Sequence, residues 1–287
     1  MGNVEVSFRI VDVFCERPLE GNQLCVVPDP GDLDGATMQA LAREIGFSET
    51  TFVTEAVGDR YAMRIFTPGQ ELPFAGHPTI GTAFVLASEG RITSPATQVV
   101  TAGEYPVEVD LVAGRARMQQ LQPVFGDVFA DRDLAARAAG LGPSDLRDDV
   151  PMQLVSTGLA HLLVPVRDLE TLRRAARDEA RVGEVCRAPD GESMYLFAET
   201  PDGVTARMFD WEHGVGEDPA TGSAAGPLGA YLARHGLAGM PGAVRIRQGE
   251  QVGRPSLLEV EVTAEGDAWR VVVEGGVAIV GHGVFRL

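Results

Sequence analysis

Three polar side chains stand where two apolar helices are predicted to begin. His77 follows a glycine at the start of the helix Pro78–Ser88, and Asp218 and Ser223 precede the helix Ala224–His235. A helix N-terminus presents unpaired N–H groups and about half a positive charge. We therefore predict an anion site at these helix starts, where a histidine stays neutral and can accept or donate a proton. The structural alternative is that His77 and Ser223 only cap their helices and that Asp218 is an ordinary turn residue.

A fourth candidate, Glu49, lies at the mouth of a predicted strand, directly before Thr50 and the apolar stretch that follows. A carboxyl group there would be partly desolvated, which raises its pKa towards the range useful for acid–base catalysis. The alternative is an exposed glutamate between a helix and a strand, which is a common arrangement. Among the other histidines, His161 is predicted to be a satisfied core residue in an apolar strand, and His213 to lie in a loop near the site.

The two helices that carry these residues are apolar on nearly every face, which is typical of buried helices. They belong to an internal repeat, because Glu, Pro and Gly recur at 71/217, 73/219 and 76/222, an offset of 146 residues (217 − 71). The repeat predicts an α+β fold of two homologous domains related by a pseudo-twofold, each a barrel-like mixed β-sheet wrapped around a central α-helix. We place the domains at 1–125 and 126–280, expect a strand over 281–287 to return to the first domain, and expect the two turns to meet at one cleft.

Most of the remaining sequence is strand-like, with short runs rich in Val and Ile that Gly or Pro residues bound. A helix is predicted over Ala36–Ile45, where apolar residues recur at helical spacing and Gly46 is a stop signal. Another is predicted over Asp168–Arg181, and its many Arg and Glu residues predict that it faces solvent.

The composition excludes several classes of function. The 287 residues include 24 basic and 41 acidic side chains, a formal net charge of −17, which disfavours nucleic acids and anionic membranes as partners. Lysine is absent from the sequence, so lysine-anchored pyridoxal phosphate, imine-forming aldolases and Walker A phosphate loops are excluded. Three scattered cysteines argue against a disulfide scaffold and a zinc site. With no signal peptide and no membrane-spanning stretch, the sequence predicts a soluble cytoplasmic protein.

Several short motifs follow one another along the chain. They are Gly21-Asn22 with Val26-Val27, Ser48–Val53, Thr67-Pro68, Phe74–Thr79, Glu217–Ala224, Gln248-Gly249 and Arg254–Ser256. Together these motifs resemble the PhzF family of phenazine biosynthesis-like proteins, which has the diaminopimelate epimerase-like fold. The resemblance extends over essentially the whole chain, because the segments occur in the expected order.

The resemblance implies two similar domains with the active site between them, usually in a homodimer. It implies an isomerase that shuttles a proton without a cofactor or a metal. The acid/base glutamate of the family falls on Glu49, and the supporting histidine and aspartate fall on His77 and Asp218. The positions that the resemblance assigns to substrate binding are Ser48, Gly76, Gly222 and Ser223.

Two positions depart from the wider fold family. Its racemases and epimerases use two cysteines, one before each glycine, as a thiol and a thiolate on opposite faces of a carbon atom. Here these positions hold Ala75 and Thr221, and neither side chain can carry a proton at neutral pH. We therefore expect no two-cysteine racemase. One carboxyl remains, which suits a base that takes a proton from one carbon and returns it to another on the same face.

The leading hypothesis is a cofactor-independent isomerase acting on a small anionic substrate, a cyclic or unsaturated carboxylic acid, with Glu49 as the proton carrier. A second hypothesis is a binding or regulatory protein that keeps the fold without turnover, because a fold does not establish catalysis. A third is a lyase or dehydratase that uses the same acid. Deuterium wash-in from heavy water separates the first two hypotheses, and release of water or a small fragment identifies the third.

Overall fold

The computed structural model describes residues 4–187, 191–211, 214–266 and 268–287. These residues form a mixed α+β structure in which strands outnumber helices. Contacts divide the chain into two compact units: unit 1 comprises Met1–Gln119 with Glu274–Leu287, and unit 2 comprises Gln120–Val273. In the part of the chain that the structure describes, no helix has the length and apolar character needed to cross a membrane.

The elements are numbered in chain order. The strands are β1 (Glu5–Val13), β2 (Asn22–Val27), β3 (Glu49–Val57), β4 (Arg60–Phe66), β5 (Glu71–Leu72), β6 (Ala96–Val100), β7 (Gly103–Asp110), β8 (Arg115–Gln119), β9 (Val124–Val128), β10 (Gln153–Ser156), β11 (Ala160–Pro165), β12 (Ser193–Thr200), β13 (Gly203–Asp210), β14 (Glu217–Asp218), β15 (Gly242–Gln248), β16 (Ser256–Glu265) and β17 (Ala268–Arg286). The α-helices are α1 (Gly35–Ile45), α2 (Gly76–Ser88), α3 (Arg132–Ala138), α4 (Leu169–Arg174), α5 (Glu179–Arg187) and α6 (Gly222–His235).

Unit 1 is a closed barrel around helix α2. Its strands follow the order β1-β2-β3-β4-β6-β7-β8-β17, and β17 closes the ring by pairing antiparallel with β1. Helix α2 contacts β1, β2, β3, β6, β7 and β8 and is buried from its first residue to Leu86. Gly81 permits this close packing, because a Cβ atom there would lie 2.6 Å from Leu24 Cδ2 on β2. Helix α1 lies outside the ring, where its Met38 and Leu41 pack against Phe52 and Phe66 in an outer apolar cluster.

Unit 2 wraps helix α6 in the same manner. Its strands follow the order β9-β10-β11-β12-β13-β15-β16-β17. The segment before β9 approaches β17 again, because the N–H of Gln120 donates to the carbonyl of Val271 at 2.9 Å. Helix α6 contacts β10, β11, β15 and β16 and is buried as far as Ala233. Apolar residues of α3, α4 and α5 form an outer cluster with β11 and β12.

The internal repeat corresponds to repeated local structure within each unit. Arg64 on β4 donates two hydrogen bonds of 2.7 Å to Glu71 on β5, and Arg207 on β13 donates two of 2.8 and 2.7 Å to Glu217 on β14. The series β1-β2-β3-β4-β6-β7 alternates antiparallel and parallel pairs. The series β10-β11-β12-β13-β15-β16 alternates in the same way. Each unit therefore leads from a strand, through an ion-paired turn, into its buried helix.

The helix predicted over Asp168–Arg181 is wrong in its length, whereas its exposure to solvent is confirmed, because Glu170, Arg173, Arg174 and Arg181 are exposed. The chain forms two shorter helices, α4 and α5, and Leu172 of α4 is fully buried. The buried guanidinium of Arg207 donates from Nη1 to the carbonyl oxygens of Leu172 (3.0 Å) and Ala175 (2.5 Å). These bonds satisfy carbonyl groups at the end of α4, where a helix otherwise leaves them without an intrahelical partner.

Candidate active site

His77 is the second residue of α2 and is almost completely enclosed, with 3% of its side chain exposed. Burial disfavours the protonated ring and lowers the pKa of His77 to about 3. The imidazole is therefore neutral at physiological pH. Its Nδ1 lies 3.2 Å from the amide nitrogen of Asn22, the first residue of β2. The residue before α2, Ala75, makes no side-chain cap, so the alternative in which His77 caps the helix is wrong.

Glu49 faces the other nitrogen of this imidazole. Its Oε2 lies 3.3 Å from His77 Nε2, and 14% of the Glu49 side chain is exposed. Glu49 begins β3, and the parallel pairing of β2 with β3 sets it opposite Leu24, two residues beyond Asn22. The strand start, the helix start and the amide of Asn22 thus converge within unit 1. Ser48 directly precedes β3 and is half-buried.

The pair combines a carboxyl that keeps partial access to solvent with a buried imidazole that stays neutral. A neutral imidazole has one donor nitrogen and one acceptor nitrogen. The amide nitrogen of Asn22 only donates, so Nδ1 is the acceptor and Nε2 carries the proton. The Nε2–H group can donate to a carboxylate or to the carbonyl oxygen of a carboxylic acid. A carboxyl that alternates between these two forms is what proton transfer requires.

In unit 2, Ser223 is the second residue of α6, and only 7% of it is exposed. The residue before α6 is Thr221, so the alternative in which Ser223 is the N-cap is wrong. The Ser223 hydroxyl lies 3.1 Å from His161 Nε2 on β11, and His161 Nδ1 lies 2.8 Å from the hydroxyl of Ser193 on β12. The prediction of a satisfied core histidine is therefore confirmed for His161. Its partnership with a candidate binding residue was not predicted.

Asp218 is the last residue of β14 and is 5% exposed. Its Oδ2 accepts a hydrogen bond of 2.6 Å from the Thr221 hydroxyl, and its carbonyl accepts one of 2.8 Å from the Gln248 amide. Gln248 ends β15 and also accepts from the N–H of Thr221 at 3.2 Å. Asp218 is thus a buried part of the loop that leads into α6, held by Gln248, and not an ordinary surface turn residue.

A second glutamine holds the first turn of α6. Gln120 donates from Nε2 to the carbonyl of Gly222 at 2.9 Å and accepts a hydrogen bond of 2.5 Å from the Thr157 hydroxyl. Gly226 makes room for this side chain, because a Cβ atom there would lie 1.7 Å from Gln120 Oε1. Sequence reasoning did not identify Gln120. No spacing motif connects it to α6, from which it is about a hundred residues distant.

The two glycines assigned to substrate binding, Gly76 and Gly222, are the first residues of α2 and α6, and both are buried. The structure thus brings Glu49 and His77 together in unit 1, and Asp218, Gly222 and Ser223 around one helix start in unit 2. His213 lies outside the described residues. Within the described ranges, no group of three or more His, Cys, Asp or Glu side chains could hold a metal ion.

Comparison with known proteins finds similarity over nearly the whole chain. The family model for the phenazine biosynthesis-like proteins, PhzC-PhzF, matches residues 11–283. An uncharacterized isomerase of Deinococcus radiodurans is 38% identical over 94% of this chain and 91% of its own length. The trans-2,3-dihydro-3-hydroxyanthranilate isomerase of Pseudomonas fluorescens is 36% identical over 98% of this chain and 99% of its own. A crystal structure of a PhzF-family protein from Bacillus anthracis matches with a TM-score of 0.88, at 27% identity, over 99% of this chain and 100% of the other.

Proposed function

The chain belongs to the PhzC-PhzF family of phenazine biosynthesis-like proteins, and on that premise we propose that it is a cofactor-independent isomerase with a single glutamate as its acid/base. Relatives that share more than a third of its residues are named isomerases. The observation that carries the proposal is the contact of 3.3 Å between the Glu49 carboxyl and the buried imidazole of His77.

In the proposed reaction, the Glu49 carboxylate removes a proton from one carbon of the substrate. The electron pair of the broken C–H bond delocalises over an adjacent double bond. Glu49, now a carboxylic acid, returns its proton to a second carbon on the same face, so the formula of the substrate is unchanged. Holding both carbons beside one carboxyl makes each transfer intramolecular. Neutral His77 holds Glu49 in place in both of its protonation states.

We assign the remaining polar groups to substrate binding. Ser223 and the N–H groups of the helix starts at Gly76 and Gly222 suit an anionic oxygen, because helix N-termini carry partial positive charge. Asp218, held by Thr221, suits a hydroxyl or amino group of the substrate or a proton relay. Ser48 lies next to Glu49 and is assigned to the same substrate.

The cysteines of this chain support a mechanism without thiols. Cys15, Cys25 and Cys186 are all buried. Burial raises the pKa of Cys25 and of Cys186 to about 12, so both remain protonated thiols at neutral pH. Together with Ala75 and Thr221 before the two helix-start glycines, this favours one carboxyl over a pair of thiols.

For the substrate we propose a cyclic unsaturated carboxylic acid. The name of the Pseudomonas fluorescens relative describes such a compound, a dihydro derivative of hydroxyanthranilate. We also propose, from the resemblance, that the two units are homologous halves and that the protein is a cytoplasmic homodimer. Analytical ultracentrifugation tests the dimer.

The decisive experiment follows the conversion of trans-2,3-dihydro-3-hydroxyanthranilate in heavy water. The wild-type protein is expected to form an isomer that carries deuterium at one carbon, because the partly exposed Glu49 carboxyl exchanges the abstracted proton with the solvent before it protonates the second carbon. Glu49→Gln is expected to lower kcat by about 10³-fold, a typical contribution of acid–base catalysis, with substrate Kd changed less than about threefold. The matched control is Glu55→Gln, which replaces an exposed glutamate of the same strand, β3. An active Glu49→Gln variant would refute the mechanism. Binding without conversion or exchange would identify a binding protein, and release of water would identify a dehydratase.

A further inference from the structure

Three buried side chains of unit 2 form one hydrogen-bonded row. His161 joins the Ser193 hydroxyl, 2.8 Å from its Nδ1, to the Ser223 hydroxyl, 3.1 Å from its Nε2. Ser193 is fully buried, His161 is 2% exposed and Ser223 is 7% exposed. A simple core histidine needs no partner at the start of the central helix. The row therefore links the strands β11 and β12 to Ser223, the serine of unit 2 that the proposed function assigns to substrate binding.

The position of one proton on His161 decides what Ser223 can offer to a ligand. With the proton on Nδ1, the ring donates to Ser193 and Nε2 accepts the hydroxyl proton of Ser223, so Ser223 can only accept a hydrogen bond from a ligand. With the proton on Nε2, the ring donates to Ser223 and accepts from Ser193. Ser223 then keeps its own O–H to donate to a ligand. The two tautomers therefore select ligand groups of opposite character.

The surroundings of Ser223 favour the second arrangement. Ser223 lies in the first turn of α6, a helix of 14 residues, and the partial positive charge of a helix N-terminus attracts an anionic oxygen. A negatively charged oxygen accepts hydrogen bonds and donates none. If Ser223 could only accept hydrogen bonds, it could form none with the anionic oxygen that the helix N-terminus attracts.

We propose that His161 is a positioning residue that carries its proton on Nε2, in contact with Ser223, and thereby fixes Ser223 as a hydrogen-bond donor to an anionic oxygen of the substrate. The Ser193 hydroxyl donates a hydrogen bond to Nδ1 of His161 and thereby stabilises the tautomer with its proton on Nε2. This inference rests on the proposed function only for the assignment of Ser223 to substrate binding. The tautomer itself is a property of the ligand-free protein and can be measured without a substrate.

The first test is the tautomer of His161 in the unmodified protein. Long-range ¹H–¹⁵N correlation spectra of protein labelled with ¹⁵N-histidine distinguish the two neutral tautomers by their ring nitrogen shifts. The His161 signals are identified as those absent from the His161→Gln spectrum. The expected result is the Nε2–H tautomer, with a shift towards a mixture of tautomers in Ser193→Ala. A predominant Nδ1–H tautomer would overturn the proposal whatever the enzyme does.

The second test is a double-mutant cycle with anthranilate as the probe and anthranilamide as its uncharged counterpart. Ser223→Ala and His161→Asn are each expected to weaken anthranilate binding about tenfold, the value of one hydrogen bond to a charged group. Anthranilamide binding is expected to weaken less, by about threefold, because its uncharged carbonyl accepts a weaker hydrogen bond. The double variant should bind no more weakly than Ser223→Ala alone, because both changes remove the same interaction. His161→Gln keeps an N–H near the Nε2 position and should restore most of the affinity.

The control variant is His235→Asn, which replaces another histidine of unit 2, at the far end of the same helix. It is expected to leave anthranilate binding unchanged. Losses that multiply in the double variant would mean that His161 affects binding independently of Ser223, and would overturn the proposal. Unchanged binding in Ser223→Ala would instead remove Ser223 from the proposed function. The spectra would then still decide the tautomer of His161.

Discussion

Replacing His77 should change how the stability of this protein depends on pH. In the folded protein burial lowers the pKa of His77 to about 3, whereas an unfolded chain has a histidine pKa of about 6.5. Below pH 6.5 the unfolded state therefore binds one more proton than the folded state. Stability must fall as the pH falls through this window, and the loss ends only near the folded pKa.

The size of the effect follows from the difference between the two pKa values. Each pH unit well inside the window costs about 1.4 kcal/mol for one proton. Between about pH 7.5 and about pH 4.5, the integrated loss that His77 causes is about 2.7 kcal/mol. Because His77 is 3% exposed, solvent screening reduces this value little. His77→Gln removes the titrating group, so the free energy of unfolding of the variant should decline less steeply with acidification.

The assay is urea unfolding, followed by far-UV circular dichroism, at a series of pH values across this range. The quantity compared is the difference in the free energy of unfolding between the wild type and His77→Gln. This difference should fall by about 2.7 kcal/mol from the highest to the lowest pH. His282→Gln, which replaces an exposed histidine of β17, controls for the loss of one imidazole. Parallel curves for the wild type and His77→Gln would refute the reasoning, because they would mean that His77 titrates equally in both states.

Two further predictions concern packing and thiol chemistry. Gly226→Ala places a methyl group where Gln120 Oε1 lies, 1.7 Å from the new Cβ. It should destabilise the fold by about 1–3 kcal/mol in thermal or urea unfolding, and wild-type stability would show that Gln120 can leave without cost. Burial raises the pKa of Cys25 and Cys186 to about 12, so both thiols should resist alkylation by iodoacetamide up to about pH 9 in the native protein and react after denaturation. Rapid native labelling of either thiol, located by mass spectrometry, would contradict this prediction.

The sequence was most informative where one local pattern decides the structure. The helices predicted over Pro78–Ser88 and Ala224–His235 are α2 and α6, each of which begins two residues earlier. A helix that is apolar on every face is stable only when it is buried, so the local pattern alone predicts both helices. The helix Ala36–Ile45 likewise ends at Gly46, whose φ of 69° a glycine adopts without strain.

Non-local contacts account for the wrong or missing elements. The strand expected over 281–287 is the end of a much longer strand, β17, which runs from Ala268 through Gly275 and Gly276 to Arg286. These glycines permit close packing, because a Cβ atom on Gly275 would lie 2.3 Å from the ring of Phe14. The division of Asp168–Arg181 into α4 and α5 is another non-local effect. It depends on the guanidinium of Arg207 on β13, which donates to carbonyl groups at the end of α4.

The candidate site shows the same limit. Glu49 and His77 were selected for their positions at the start of a strand and of a helix, and the structure sets them in contact. The partners Asn22 and His161 could not be assigned, because their roles arise from strand pairing. Parallel pairing of β2 with β3 brings Asn22 near Glu49, and parallel pairing of β11 with β12 sets His161 beside Ser193. Sequence spacing does not encode this register.

Strand β17 also imposes an order on biosynthesis. Its residues 277–286 are made after all of unit 2, yet they fill the place beside β1 that closes the first barrel. During translation the early strands therefore emerge from the ribosome before residues 277–286 have been made. Until then the edge of β1 that pairs with β17 has no partner strand. Unpaired strand edges invite aggregation. A nascent chain arrested before residue 277 should consequently need chaperone protection that the finished protein does not.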